Sequence, residues 1–243
     1  LEPNKLTSSG VIAQINNIVD EIHAGRPIQY ILGQTQFCTI KVAVDEGVLI
    51  PRQETEALVN LILSGDGQYF RRIIDLGTGS GCIALALKHY FPQARVTGLD
   101  VSVEALALAE QNGRLNDLEV LWMEGDLLNS SVLSEHREPD EGFDLVVSNP
   151  PYVLESEKKL MEDHVLQHEP GLALFVKDKD PLLYYRAIHR FCELHLVAGG
   201  HLWMEINERF GRKTAQLFEQ AGYRSVHIRK DIHEKERYIY ARK

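Results

Sequence analysis

Residues 73–81 read IIDLGTGSG, and this stretch decides the fold. An apolar run stops at Asp75-Leu76, and glycines follow at 77, 79 and 81. Glycine takes positive φ without steric penalty and carries no side chain to hold a ligand off the backbone. The pattern therefore predicts a strand that turns sharply into a helix beside a ligand. Outward from this turn, short apolar runs alternate with helical patterns: residues 80–91, RVTGLD at 95–100, residues 102–115, EVLWM at 119–123 and FDLVVS at 143–148. Such alternation marks a parallel sheet with helices on both faces, an α/β fold. A helix near 180–196, a strand HLWMEI at 201–206 and a helix near 210–221 continue it. The extended segments near 223–229 and 236–242 have no helix between them, so an antiparallel pair is expected at the end of the sheet. SEHREPDEG at 134–142 reads as a solvated loop.

Upstream, Ile12, Ile15, Val19 and Ile22 fall at helical spacing before Gly25, which predicts an amphipathic helix over 10–24. Residues 36–50 read as extended, with FCTIKVAV and VLI flanking Asp45-Glu46-Gly47, so a hairpin turning at 45–47 is expected. Pro51 opens the next helix, where Glu54 and Glu56 suit the positive end of the helix dipole. The expected division is 1–50, helix and hairpin, and 51–243, the α/β domain.

The chain has 243 residues, 44% hydrophobic and 25% charged, which suits one large domain with or without a small appendage and excludes a disordered or fibrous class. With 26 basic against 35 acidic residues the net charge is −9, so stable DNA binding is not expected. No apolar run approaches the ~18 to 20 residues of a membrane span, and LEPNKLTSSG lacks the features of a secretion signal. Cys38, Cys82 and Cys192 have no paired spacing, so neither disulfides nor zinc are suggested, and a cytoplasmic location is expected.

The glycine loop alone leaves its ligand open. A dinucleotide fingerprint would place Gly or Ala where Cys82 stands, and the Gly-Lys-Ser/Thr of a P-loop is absent. Asp100 ends the next strand 19 residues after Gly81, where a carboxylate can accept hydrogen bonds from two ribose hydroxyls. In EGDLL, Asp126 can reach an adenine amino group while Leu127 packs on the ring; alone, Asp126 reads as a cap. Together these residues point to an adenosine-type cofactor that needs no phosphate site.

Asn149, Pro150, Pro151 and Tyr152 follow FDLVVS at the carboxyl end of a strand, where open α/β sheets bind ligands. By composition, Asn and two prolines simply end a strand. Their chemistry allows more. A planar NH2 group is a poor nucleophile because its lone pair is delocalised, and two acceptors holding both N–H bonds free that lone pair for attack. The Asn149 side-chain oxygen and the Pro150 carbonyl can be those acceptors, and Tyr152 can stack on the planar group. His164 and His168 lie near Glu169 without a third ligand at a recognisable spacing, so no metal is expected.

In order and spacing, Asp75, the glycines, Asp100 and Asp126 resemble the class I S-adenosylmethionine-dependent methyltransferases. That resemblance implies a Rossmann-like, mostly parallel seven-stranded sheet with an antiparallel last strand, and S-adenosyl-L-methionine as cofactor. NPPY by itself resembles the motif of adenine-N6 DNA, guanine-N2 ribosomal RNA and protein glutamine-N5 methyltransferases alike. GRPIQYILGQTQF (25–37), VLIPRQETEALV (48–59), DLGTGSG, VSNPPY and EPGLALF (169–175) resemble, in one collinear order over residues 24–242, the PrmC/HemK family of release factor glutamine methyltransferases. The resemblance implies methyl transfer to the side-chain amide of the GGQ glutamine of peptide chain release factors, with a ribosomal protein glutamine left open as acceptor. It makes Gly77, Thr78, Gly79, Ser80, Gly81, Asp100, Asp126, Leu127 and Asn149 the cofactor contacts. Asn149, Pro150, Pro151 and Tyr152 become the catalytic and substrate-binding site, with Arg52 and Glu54 beside it, either touching substrate or only starting their helix. Two departures stand out. Family members carry several helices before the GxPxxYILG string, where residues 1–24 stand here, and a glycine after the QF or EF, where this chain reads Phe37-Cys38-Thr39.

Overall fold

A computed structural model of the chain describes residues 9–65, 69–129 and 142–243. Apart from Gly142, the loop expected over 134–142 lies outside the described residues. Helix α1 (Ser9–His23) and the single turn α2 (Ile28–Leu32) lead into strands β1 (Gln34–Phe37) and β2 (Ile40–Ala43). The α/β part runs α3 (Gln53–Leu63), β3 (Arg72–Leu76), α4 (Cys82–Tyr90), β4 (Arg95–Asp100), α5 (Val103–Leu115), β5 (Leu121–Glu124) and β6 (Phe143–Ser148). A small excursion follows: β7 (Val153–Leu154), a 3-10 turn (Glu155–Leu160), α6 (Asp163–His168), α7 (Gly171–Leu174) and β8 (Phe175–Val176). The chain then completes the sheet with α8 (Leu183–His195), β9 (Leu196–Glu205), α9 (Gly211–Gln220), β10 (Arg224–Lys230) and β11 (Glu236–Arg242).

The seven-stranded sheet has the order β10-β11-β9-β6-β3-β4-β5. Strands β9, β6, β3, β4 and β5 pair in parallel, and β11 is antiparallel to both β9 and β10. This is the arrangement that the resemblance to class I methyltransferases implies. From central β3 the chain moves one way to β4 and β5, then returns to β6 on the other side. The segments leaving β3 and β6 therefore diverge, and the carboxyl ends of these strands open into a crevice.

Strand alternation supplies a core on each face. On β6, Leu145 and Val147 join the core packed by α3, α4 and α5, while Val146 joins the core packed by α8 and α9. The final residue closes the second side: Lys243 Nζ donates to the Cys192, Glu193 and Leu196 carbonyls at the end of α8, compensating backbone acceptors that a helix terminus leaves unpaired.

The hairpin turns elsewhere than expected. Phe37 pairs with Ile40, so Cys38 and Thr39 form the two-residue loop, and Cys38 takes φ 48°. The 45–47 segment is a separate turn in which Asp45 Oδ1 accepts the Gly47 N–H. The reason for the correction is physical: a two-residue hairpin loop needs positive φ, which sequence reading seeks at glycine or asparagine, and here a cysteine adopts it. Phe37, Ile40 and Val42 are buried in the same core as Leu58, Ile73 and Leu85, so the hairpin packs directly on the α/β part. Asn112 fastens the join: its side chain pairs both ways with the Ala43 backbone (2.7 and 3.0 Å) and donates to the Ser80 carbonyl (2.9 Å). By contrast, Ile12, Ile15, Val19 and Ile22 of α1 are exposed.

Candidate functional site

The glycine loop keeps its shape through backbone bonds to the neighbouring strand. The Gly77 and Thr78 N–H groups both donate to the Leu99 carbonyl, at 2.8 and 2.9 Å. Gly77, Gly79 and Gly81 have φ of 74°, 54° and 79°, the left-handed region that only glycine enters cheaply. The three differ in surroundings. A Cβ on Gly77 or Gly79 would meet no protein atom within 4 Å, so these two leave open space above the backbone. A Cβ on Gly81 would strike Trp122 Cη2 at 2.7 Å, because the indole is wedged beneath the loop and also lies against Gly98.

Asp100 closes the next side. Its carboxylate accepts the Gly79 N–H at 2.8 Å and the Ser102 N–H at 3.0 Å, one on each oxygen, and each oxygen retains acceptor capacity. Asp126 Oδ1 accepts the Leu128 N–H at 2.8 Å, an Asx-type turn that leaves Oδ2 for another donor. Beneath the loop, the fully buried Asp75 accepts the Thr78 hydroxyl at 2.5 Å. Burial pushes its carboxyl up to about 7, opposed by that hydrogen bond and reinforced by the Asp100 charge.

These groups meet at a cavity of about 430 Å³. Its wall includes Arg52, Gly77, Thr78, Gly79, Ser80, Asp100, Asp126, Leu127, Asn149, Pro150 and Pro151. The sequence-derived site residues absent from the wall are Gly81, Glu54 and Tyr152. Gly81 sits over Trp122. Glu54 contributes its carbonyl to the Tyr238 hydroxyl at 2.8 Å. Tyr152 turns its hydroxyl to Glu205 Oε2 (3.3 Å), and the Arg237 guanidinium lies 5.8 Å from its ring centroid. Its ring is thereby engaged behind the loop, where stacking on an acceptor was expected. The Asn149 amide donates through Nδ2 to Thr55 Oγ1 at 3.1 Å, and the Thr55 hydroxyl donates to Glu205 Oε1 at 2.6 Å.

Several wall residues escaped sequence reading: Thr55, Val48, Leu49, Tyr184, and Pro170, Leu172 and Ala173 of the EPGLALF segment. Glu169 of that segment is buried and pairs with Arg52 Nη2 at 2.5 Å, while also accepting the Ile50 N–H at 3.4 Å. The pair ties the start of α3 to the excursion after β6. His164 and His168 each approach a different glutamate, Glu162 and Glu46. Among the described residues no three His, Cys, Asp or Glu side chains are grouped to hold a metal, and no helix is long and apolar enough to cross a membrane.

The chain is 39% identical to the release factor glutamine methyltransferase of Flavobacterium psychrophilum, across 98% of this chain and 83% of that protein. It is 42% identical to the one from Bacteroides thetaiotaomicron, across 94% and 80%. The chain belongs to the release factor glutamine methyltransferase family. Within this family member, residues 53–170 also match the methyltransferase small domain, a span that holds both the glycine loop and NPPY. In solved structures the same fold recurs in a methyltransferase from Pyrococcus furiosus (TM-score 0.61, 15% identity, 97% of this chain and 98% of that one). It recurs again in the 16S rRNA N2 G1207 methyltransferase of T. thermophilus in complex with AdoMet and guanosine (TM-score 0.58, 16% identity, 86% and 49%). At such identities these two likenesses speak for the fold alone.

Proposed function

We propose that this protein transfers a methyl group from S-adenosyl-L-methionine to the side-chain amide nitrogen of the GGQ glutamine in peptide chain release factors. The observation that carries the reading is one cavity whose wall includes the glycine loop, Asp100, Asn149, Pro150 and Pro151, in a member of this family. The wall suits the cofactor. Gly77 and Gly79 present open space over bare backbone. Asp100 offers its remaining lone pairs to the two ribose hydroxyls, and Asp126 offers Oδ2 to the adenine amino group while Leu127 lies beside the ring. Arg52 is already paired with Glu169, so Asp100 and Asp126 leave the wall net negative, which favours a cation. When bound, S-adenosyl-L-methionine supplies an electrophilic methyl on a sulfonium.

The protein's own contribution is orientation. Asn149 Oδ1 and the Pro150 carbonyl accept the two N–H bonds of the glutamine amide and turn its nitrogen lone pair toward the cofactor. Both acceptors sit on a segment stiffened by consecutive prolines. Positioning of this kind supplies several orders of magnitude without a strong base, since the proton leaves after the methyl arrives. Tyr152 holds the segment from behind through Glu205. The site of action is the cytoplasm.

Transfer of labelled methyl to a purified release factor, beside its GGQ glutamine-to-alanine variant, duplex DNA and ribosomes, tests this. Label on the intact factor that disappears in the variant is expected. Label confined to DNA or ribosomes would overturn it.

A further inference from the structure

We propose that Thr55 and Glu205 are positioning residues that decide which end of the Asn149 side-chain amide faces the cavity. The inference rests on the reading just given and deepens it. A side-chain amide is nearly symmetric in shape but opposite in chemistry at its two ends: Oδ1 accepts, Nδ2 donates. An acceptor NH2 group can be held only by Oδ1. With Nδ2 toward the cavity, two donors would oppose each other and the nitrogen lone pair would stay unaligned.

The direction is set by proton bookkeeping along the chain of contacts. Above about 7, the value to which burial pushes its carboxyl, Glu205 is ionised and has no proton to give, so Thr55, at 2.6 Å from Oε1, spends its single hydroxyl proton there. Thr55 Oγ1 can then only accept from its other neighbour, and the Asn149 Nδ2–H donates to it at 3.1 Å. The second Glu205 oxygen takes the Tyr152 hydroxyl at 3.3 Å, which closes the other route by which the network could reverse. Thr55 and Glu205 are 3% and 1% exposed, so bulk water does not substitute for either partner. With Nδ2 held by Thr55, Oδ1 is the end of the amide left for an acceptor NH2 group. The three residues come from separate elements: Thr55 from the first turn of α3, Asn149 just after β6, Glu205 from the end of β9. Sheet order places them together, since β6 and β9 are neighbours with Ser148 beside Met204.

The test compares Thr55→Val, which keeps the shape and removes the hydroxyl, with Thr55→Ser, which restores it. Methyl transfer to a release factor is measured over a range of factor concentrations. S-adenosylhomocysteine affinity and melting temperature are recorded, and the Asn149 side-chain 1H–15N signals are followed without any acceptor. The valine variant is expected to lose tenfold or more in kcat, with KM and cofactor affinity within threefold of wild type. Its Asn149 amide signals should lose their hydrogen-bonded shift and protection, and serine should recover both rate and signals. A valine variant within twofold of wild-type kcat would overturn the proposal, as would equal losses in valine and serine, or unchanged Asn149 signals. Absence of transfer by the wild type would count against the release factor reading alone, because the amide signals still report the relay.

Discussion

Replacing Gly81 by alanine separates two demands on the glycine loop. At φ 79° an L side chain pays roughly 1–2 kcal/mol for the left-handed conformation. The new methyl would also lie 2.7 Å from Trp122 Cη2 and 3.0 Å from Ala109 Cβ, an overpacking worth about 1–3 kcal/mol. Together these amount to roughly 2–5 kcal/mol, and at roughly 2–4 °C per kcal/mol for a chain of this size the melting temperature should fall by roughly 4–20 °C. Gly79→Ala is the contrast. Its φ of 54° carries the conformational cost, but its methyl meets no protein atom within 4 Å and stands on the cavity wall. This variant should melt closer to wild type while losing at least tenfold in S-adenosylmethionine affinity by calorimetry. A double-mutant cycle of Gly81→Ala with Trp122→Phe should show a coupling of about 1 kcal/mol or more, since the smaller ring withdraws the clashing atoms. Unchanged melting of Gly81→Ala, or a coupling near zero, would refute the claim that the indole beneath the loop demands glycine there.

Asn112→Ala removes three hydrogen bonds to buried or half-buried backbone groups of Ala43 and Ser80; it should cost about 1–3 kcal/mol or more and speed hydrogen exchange at the Ala43 amide, and unaltered exchange would contradict the clip. Arg52→Ala strands the buried Glu169 carboxylate and should destabilise by up to about 3 kcal/mol, the low end for such a pair because Arg52 is partly exposed. Adding Glu169→Gln to Arg52→Ala should recover stability, and further loss in the double variant would refute this reading. Burial pushes the Glu205 carboxyl up to about 7, opposed by the Thr55 hydrogen bond, the Arg237 charge and the Tyr152 hydroxyl, and reinforced by Glu54; Tyr185 and Tyr238 also face it. An unfolded glutamate titrates near about 4.3, so between there and 7 the folded state holds the extra proton, and stability falls as pH rises through this window. Glu205→Gln, which keeps an acceptor for Thr55, should therefore gain more over wild type at pH ~8 than at pH ~5 in urea midpoints; equal shifts at both would refute it.

What was legible in the sequence is what one segment determines by itself. The glycine loop, Asp100 and NPPY each combine a strand end with a residue type whose chemistry is local, and the strand and helix alternation follows from side-chain periodicity. The hairpin turn was misplaced because Cys38 occupies a positive-φ position without the usual residue. Asp126 serves an Asx turn and also lines the cavity, two placements that its local sequence does not separate. Glu205 and Thr55 are separated by 150 positions and meet only through the sheet order, which no local pattern encodes. Glu169 belonged to a quoted motif, but its partner Arg52 lies 117 residues away. By residue type Tyr152 reads as a stacking ring, whereas its hydroxyl bonds Glu205 and its ring lies near the Arg237 guanidinium, partners 53 or more positions away in sequence.

The central claim is that one cavity holds the methyl donor and the acceptor amide on opposite walls. The most direct measurement is a structure of the chain with S-adenosylhomocysteine and a GGQ-containing release factor fragment. The ribose hydroxyls are expected on Asp100, the glutamine N–H groups on Asn149 Oδ1 and the Pro150 carbonyl, and Asn149 Nδ2 still on Thr55. A glutamine bound away from Asn149, or an Asn149 amide turned with Nδ2 toward the acceptor, would contradict it.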